Sequence, residues 1–240
     1  MAFLVNIIAN FCKLEYNYLG DFLMVTVYLV RHCEAMGNVL GIFQGSTDLD
    51  ISETGKKQLE FLKQRFEGIH IDKVYSSPLV RAYKTAEAIA LPKGLPVITN
   101  IGLTEINGGI IEGMKLTDIF ENYPELEYKW CHEFHNFAPE NGEAIKDTYE
   151  RVWKATKELI SGNEGKTIVL SSHGGALRTL ICRLVKGELE KIGEVPFSDN
   201  TAVSKIVFKD INTWECEYIN DASHVPEEYM PKKNKIITTH

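Results

Sequence analysis

Two runs of apolar and β-branched residues constrain the fold of this chain most strongly. They are VTVYLV at residues 25–30 and KTIVLSS at residues 166–172. Neither alternates between apolar and polar residues, which is the pattern of a strand buried on both faces. Such strands occur mainly in parallel sheets that helices cover on each side. The two runs therefore predict the centre of an α/β domain.

The segments around these runs predict the remaining strands and helices. KVYSS (73–77) and PVITN (96–100) have the composition of short strands, and AVSKIVF and TWECEYI predict a closing pair joined by a turn at residues 210–212. Helical spacing of apolar residues predicts helices in SETGKKQLEFLKQRF, SPLVRAYKTAEAIA, EAIKDTYERVWKATKELI and GGALRTLICRLVKG. In the second helix, Ser77 is expected as the N-cap and Pro78 as the first helical residue, with Arg81 in the first turn. The alternation predicts a three-layer α/β/α fold with a mainly parallel sheet and helices on both faces.

The composition limits the partners and the compartment. A net charge of −7 disfavours nucleic acid or an anionic membrane as the partner of the whole surface. The five cysteines are scattered, odd in number and without a close CxxC pair, which indicates a reducing, cytoplasmic environment. The apolar start MAFLVNIIANF lacks a basic residue and is too short to span a bilayer. It is therefore not expected to be a signal peptide.

The organisation that we expect is one domain at residues 24–220, with a lid insertion at about residues 106–142. Residues 1–23 are interpreted as an N-terminal extension, which is either an added strand or helix or the product of an upstream start site. Residues 221–240 are interpreted as a C-terminal tail. The sequence leaves the oligomeric state open.

Four polar clusters follow predicted strands: Arg31-His32, residues 76–81, Glu105 and residues 172–175. In a doubly wound sheet, the strand ends that bind ligands meet at one edge. Two arginines and two histidines at such an edge indicate a phosphate site, because guanidinium groups match phosphate oxygens and a neutral imidazole can attack phosphorus. The helices expected to start at Ser77 and near Gly174 would add backbone N–H groups to the same place.

The sequences LVRHCEAMGNVLGIFQGSTDLDISETGKKQ, SSPLVRAYKTAEAI, LTEINGGIIEG and SSHGGALRTL occur in this order. Together they resemble the signature blocks of the histidine phosphatase superfamily, the phosphoglycerate mutase-like proteins. The resemblance covers roughly residues 24–219 and implies the phosphoglycerate mutase-like fold.

The resemblance implies a role for each matching residue. His32 would accept the phosphoryl group, and Arg31 and Arg81 would clamp it. His173 would be the second histidine of the pocket, and Glu105 would donate a proton to the leaving alcohol. Three further positions match residues that contact phosphoryl oxygens: Asn38, Gln44 and the backbone N–H of Gly174.

Several positions leave alternatives open. Cys33 stands where the family usually has glycine, either as a tolerated small residue or as a redox brake beside the active site. Glu112 competes with Glu105 as the acid. WCHEFH brings Cys131, His132 and His135 together, but no second cluster completes a tetrahedral site. No metal and no other cofactor is therefore expected.

Residues 112–143 separate the possible activities, since they contain eight acidic residues and only two lysines. Phosphoglycerate mutases of the resembled family carry a longer and more basic stretch here. The interpretation is therefore a metal-independent phosphomonoester hydrolase that acts through a phosphohistidine on His32, with a small-molecule phosphomonoester as its partner. The alternatives are a phosphoglycerate mutase and, third, a non-catalytic phosphate-binding protein. The alcohol part of the substrate stays open.

Overall fold

A mixed sheet forms the centre of the computed structural model, which describes residues 24–230; the interpretation of residues 1–23 lies outside this range. The strands are β1 (Val25–Arg31), β2 (Lys73–Ser76), β3 (Val97–Thr99), β4 (Thr167–Ser172), β5 (Val203–Asp210) and β6 (Thr213–Asp221). Their order is β3-β2-β4-β1-β5-β6. The first four strands pair in parallel, and β5 and β6 pair antiparallel. The mainly parallel sheet and the closing pair are as predicted.

Helices cover both faces of this sheet. In the described range the α-helices are α1 (Met36–Leu40), α2 (Glu53–Phe66), α3 (Val80–Ala90), α4 (Leu116–Asn122), α5 (Pro124–His132), α6 (Ile145–Ser161) and α7 (Gly174–Lys186). No helix within residues 24–230 is long and apolar enough to cross a membrane.

The side chains of β1 explain the continuous apolar run in the sequence. Val27 and Leu29 belong to one buried cluster, which includes side chains of α6 and α7. Tyr28 and Val30 belong to a second cluster, with side chains of α2 and α3. Successive side chains of a strand point to opposite faces, so β1 is buried on both sides. The three-layer arrangement is confirmed.

Helix α3 begins later than the sequence predicts. Its first residue is Val80, so the expectation of Ser77 as N-cap and Pro78 as first helical residue is wrong. The Ser77 N–H instead extends the ladder between β2 and β4, and the Val80 N–H donates to Asp48 Oδ1 at 2.8 Å. A carboxylate from a distant loop therefore caps this helix. Arg81 still lies in the first turn, as predicted.

The segment at residues 106–142 packs onto the core through aromatic side chains. The ring centroid of Trp130 lies 5.1 Å from those of Phe134 and Phe137 and 5.7 Å from that of Phe197. Phe134 and Phe137 are buried. Each such pair contributes about 0.5–1.5 kcal/mol beyond its buried area. The aromatic residues of this segment therefore serve its packing, while its limits as a lid insertion stay a prediction.

Two leucines provide a matched test of this core. Leu62 of α2 is fully buried between the helix and the sheet, whereas Leu91 is 66% exposed. We expect Leu62→Ala to lower the free energy of unfolding by about 2–5 kcal/mol, because it removes packed atoms and leaves a cavity. Leu91→Ala should change it by less than about 0.5 kcal/mol. Urea denaturation monitored by circular dichroism measures both, and similar losses would contradict the described packing.

Candidate active site

The ends of the parallel strands bring the two histidines together. The His32 N–H donates to the carbonyl of Ser172 at 2.9 Å, which extends the pairing of β1 with β4 beyond the strand. The ring centroids of His32 and His173 lie 5.2 Å apart. The polar clusters that follow β1 and β4 in the sequence therefore meet at one edge of the sheet, where the strand-end argument places them.

His32 is held as a neutral ring with one free nitrogen. Its Nδ1 lies 2.6 Å from the carbonyl oxygen of Cys33, and because a carbonyl only accepts hydrogen bonds, Nδ1 carries the hydrogen. Burial lowers the pKa of His32 well below its ordinary value of 6.5, and the charges of Arg81 and Arg31 lower it further. The unprotonated nitrogen is therefore Nε2, which has the lone pair that a nucleophile needs.

Arg81 is 1% exposed and holds the loop at residues 44–47. Its Nη2 donates to the carbonyls of Gln44 and Gly45 and its Nη1 to that of Thr47, all at 2.9 Å. Burial lowers the pKa of Arg81, and the charge of Glu105 acts in the opposite direction. Arg81 thus places positive charge beside His32 and fixes the backbone at Gln44.

Arg31 lies against the first turn of α7. Its Nη1 donates to the carbonyl of Ser198. A Cβ atom built on Gly174 would lie 3.3 Å from Arg31 Nε. Burial lowers the pKa of Arg31, while the charges of Glu105 and Asp199 raise it. The contact of the Gly174 N–H with phosphoryl oxygens stays a prediction.

His173 is fully buried, and its Nε2 forms a hydrogen bond with Ser77 Oγ at 2.8 Å. Burial lowers the pKa of His173 well below 6.5, and the charges of Arg81, His32, Arg31 and Arg151 add to this effect. The ring is therefore neutral, like that of His32.

Buried polar atoms without a partner concentrate at this edge of the sheet. Within residues 24–230, seven buried side-chain nitrogen or oxygen atoms have no hydrogen-bond partner. Four of them belong to the site: Arg31 Nε, both amide atoms of Gln44 and His173 Nδ1. Buried polar groups are nearly always hydrogen-bonded in proteins. An anion with several acceptor oxygens would satisfy the donors of this set.

Glu105 occupies the N-terminus of α7. Its carboxylate accepts hydrogen bonds from the backbone N–H groups of Gly175 at 3.0 Å, Ala176 at 2.9 Å and Ile106 at 3.0 Å. The positive end of the helix dipole favours a carboxylate at this position. Two backbone N–H groups of the helix that was expected to offer N–H groups to phosphate, those of Gly175 and Ala176, are therefore used by Glu105.

Glu112 is committed to holding loops together. Its carboxylate accepts hydrogen bonds from the N–H groups of Ser46 and Gly108, both at 2.7 Å, and from the N–H and hydroxyl of Thr47 at 3.0 and 2.7 Å. Burial raises the pKa of Glu112, but these hydrogen bonds outweigh burial and lower it overall. Glu112 therefore serves to hold these loops together, and the choice of Glu105 as the acid stays a prediction.

Asn38 has a contact at the start of α1. Asn38 is exposed, and its Oδ1 accepts a hydrogen bond from the Ala35 N–H at 2.9 Å at the start of α1. Its contact with phosphoryl oxygens stays a prediction.

Cys33 is fully buried, and burial raises the pKa of its thiol to about 12. A thiol that stays protonated reacts slowly with oxidants, which favours the tolerated small residue over the redox brake.

The segment with Cys131, His132 and His135 lies at the C-terminal end of α5 and in the turn after it. His132 Nδ1 lies 3.2 Å from the carbonyl oxygen of Tyr128, and the two rings stack with centroids 4.9 Å apart. Over residues 24–230, no group of three or more His, Cys, Asp or Glu side chains is arranged to hold a metal ion.

The sequence prediction missed the contacts of two serines of the site. Ser77 belongs to the expected strand-end cluster at residues 76–81, but it was interpreted as a helix cap, whereas its hydroxyl forms a hydrogen bond with His173 Nε2. Ser198, whose carbonyl binds Arg31, lies between α7 and β5 in a loop without a motif. No sequence signal could have identified it.

Comparison with known proteins identifies the family of this chain. Residues 27–222 match the sequence profile of the Histidine phosphatase superfamily (branch 1), and the chain belongs to this superfamily. It is a hydrolase of the histidine phosphatase type, with the phosphoglycerate mutase-like fold.

Two relatives and one solved structure illustrate which proteins this chain is similar to. The chain is 39% identical to Phosphoserine phosphatase 1 from Hydrogenobacter thermophilus over 207 residues, which are 86% of this chain and 97% of the relative. It is 30% identical over 166 residues to a 2,3-bisphosphoglycerate-dependent phosphoglycerate mutase from Bartonella tribocorum, covering 66% of this chain and 81% of the relative. A phosphoserine phosphatase mutant from Entamoeba histolytica, solved in complex with phosphoserine, superposes with a TM-score of 0.73 at 28% identity, covering 84% of this chain and all of that one.

Two glycines test whether the position of Glu105 matters. A Cβ atom on Gly175 would lie 2.8 Å from Glu105 Oε1 and 2.4 Å from Ile106 Cδ1, whereas one on Gly193 meets nothing within 4 Å. We expect Gly175→Ala to displace the carboxylate and lower kcat/KM by about 10²-fold, the size of effect that a shift of about 1 Å can have. Gly193→Ala should leave kcat/KM unchanged. Thermal melts confirm folding, and full activity of folded Gly175→Ala would show that the position of the Glu105 carboxylate does not matter for activity.

Proposed function

We propose that this chain hydrolyses small phosphomonoesters of the phosphoserine type through a phosphohistidine on His32, without a metal ion. The observation that carries the proposal is the state of the His32 ring. The carbonyl of Cys33 binds Nδ1–H, and burial with two adjacent arginines keeps the ring neutral. The Nε2 lone pair is then available to attack phosphorus at neutral pH.

The groups around His32 fit a phosphoryl group. The guanidinium groups of Arg31 and Arg81 supply positive charge for its oxygens. Because the Ser77 hydroxyl can donate to His173 Nε2, the hydrogen of the neutral His173 ring would reside on Nδ1, which is one of the buried atoms without a partner in the described structure. It could then donate to a phosphoryl oxygen. The free amide of Gln44 supplies a further donor.

Glu105 would transfer protons in both steps. In the first step, His32 Nε2 forms a bond to phosphorus, the bond from phosphorus to the alcohol oxygen breaks, and that oxygen takes the proton of the Glu105 carboxyl. In the second step, water gives a proton to the same carboxylate and attacks phosphorus. The N–P bond breaks and phosphate leaves. The guanidinium groups of Arg31 and Arg81 would provide the charge stabilisation that a metal ion provides in other phosphatases.

The substrate class rests on the relatives and on charge. The relative from Hydrogenobacter thermophilus is a phosphoserine phosphatase. Of the eight acidic residues in the segment at 112–143, Glu112 and Glu143 are engaged inside the protein, and the others leave the segment negatively charged. Such charge favours a substrate with an ammonium group and disfavours a second phosphate. A mutase, the second possibility, needs a bisphosphorylated sugar acid in its pocket.

A substrate panel in excess EDTA tests the activity. O-phosphoserine, 3-phosphoglycerate, 2,3-bisphosphoglycerate and p-nitrophenyl phosphate are compared by phosphate release and by chromatography of the organic products. We expect kcat/KM for phosphoserine to exceed that for 2,3-bisphosphoglycerate by at least about tenfold, or about 1.4 kcal/mol. Formation of 2-phosphoglycerate as the main product would establish a mutase. Turnover that requires a divalent cation would refute metal independence.

The covalent intermediate gives a second test. Rapid quench with ³²P-labelled substrate should yield protein-bound phosphate that is acid-labile and base-stable, as expected for phosphohistidine. His32→Ala should abolish both label and turnover, because it removes the ring nitrogen that is proposed to accept the phosphoryl group. His70→Ala is the matched control, since the His70 side chain is 81% exposed and contacts Asp72. Full turnover by His32→Ala would refute the mechanism.

A further inference from the structure

The loop that carries Glu105 is pressed against α6 as well as α7. A Cβ atom on Gly102 would lie 2.4 Å from the Cβ atom of Ala155, so only glycine allows this close approach. The carboxylate of Glu105 is fixed separately, by the N–H groups of Gly175 and Ala176. Because the side chain is flexible, these two hydrogen bonds do not by themselves fix the backbone at residue 105.

Arg151 of α6 supplies the anchor for this backbone. Its Nη1 donates to the carbonyl oxygens of Gly102 at 3.0 Å and Thr104 at 3.1 Å, and to the Thr104 hydroxyl at 3.2 Å. Its Nη2 approaches the carbonyl of Glu105 at 3.5 Å. One guanidinium group therefore contacts three residues of the four at 102–105.

Glu143 fixes Arg151 from the opposite side. Its two carboxylate oxygens accept hydrogen bonds from Arg151 Nε and Nη2, each at 2.7 Å. This bidentate geometry is the strongest that an arginine and a carboxylate form. The backbone N–H of Glu143 also donates to the carbonyl of Asn107 at 2.8 Å. Arg151 and Glu143 together therefore contact both ends of the loop at residues 102–107.

We infer that Arg151, held by Glu143, is a positioning residue for proton transfer by Glu105. This inference rests on the role of Glu105 in the proposed function. The hydrogen bonds of Arg151 go to Glu143 and to residues 102–105, so it acts through the loop and not on the substrate. Proton transfer requires the donor and acceptor atoms to lie about 2.6–3.2 Å apart. A small shift of the backbone at Glu105 would therefore slow the reaction.

The charge of Arg151 has a separate effect, which the experiment must remove. It contributes to the lowered pKa of His173. Arg151→Lys keeps the charge but loses the planar fork that contacts Glu143 and the loop together. Arg151→Met loses both. If the planar guanidinium group is what positions the loop, Arg151→Lys and Arg151→Met should change kcat/KM to the same extent.

The leaving group provides the readout. A general acid matters for phosphoserine, which releases a basic alkoxide, and little for p-nitrophenyl phosphate. We expect Arg151→Lys and Arg151→Met to lower kcat/KM for phosphoserine by about tenfold or more, and for p-nitrophenyl phosphate by less than about threefold. Arg183→Lys is the matched control, since Arg183 also pairs with a glutamate of α6, Glu150. It should leave both values unchanged.

A double-mutant cycle shows whether Arg151 acts through Glu105. In a Glu105→Gln background, Arg151→Lys should cause little further loss with phosphoserine, because the two residues then act as one unit. Additive losses, or equal losses on both substrates, would overturn the inference. Glu143→Gln should also lower kcat/KM for phosphoserine more than for p-nitrophenyl phosphate. This variant tests the inference if the Arg151 variants do not fold. If Glu105→Gln itself slows both substrates equally, the role of Glu105 fails and the inference fails with it; if only Glu105→Gln is selective, the inference alone fails.

Discussion

The parallel pairing of β1 with β4 sets the distance between the two histidines of the site. The hydrogen bond from the His32 N–H to Ser172 continues that pairing one residue past the strand. The side chains of β1 are buried on both faces, in two separate clusters. A slip by one residue would exchange these faces, and the packing on both sides would be lost. The position of His32 is therefore fixed by the core and not by its own loop.

Around this fixed pair, the site concentrates positive charge that the protein only partly neutralises. Arg81 is buried and Arg31 is partly buried. Their guanidinium groups donate hydrogen bonds to backbone carbonyls, which carry no net charge. Asp48 Oδ1 lies 4.0 Å from Arg81 Nη1, and burying a charge that is only partly compensated costs free energy. The two histidines do not add to the charge, because burial and the arginines keep both rings neutral. A bound phosphate dianion would offset this cost, which is consistent with a site that sacrifices stability for binding.

Burial on both faces is a local property of sequence, and so the central strands, the main helices and the clusters after β1 and β4 could be predicted. Glu105 could be predicted only through the family resemblance, since a single glutamate in a loop has no pattern. The predicted start of α3 was wrong because the side chain that caps this helix, Asp48, lies 32 residues before Val80 in the sequence. The contacts of Ser198 and Arg151 were not predictable for the same reason. They depend on which loops the completed fold brings together.

Packing in the segment at residues 106–142 reaches both sides of the candidate site. Trp130 of α5 lies 6.0 Å from the ring of Phe43 and 5.7 Å from that of Phe197. Phe43 directly precedes Gln44, and Phe197 directly precedes the residue whose carbonyl binds Arg31. One indole ring thus supports the two loops that position an amide and a guanidinium group. The shape of the candidate site therefore depends on residues far from the two histidines as well as on the strand ends that carry them.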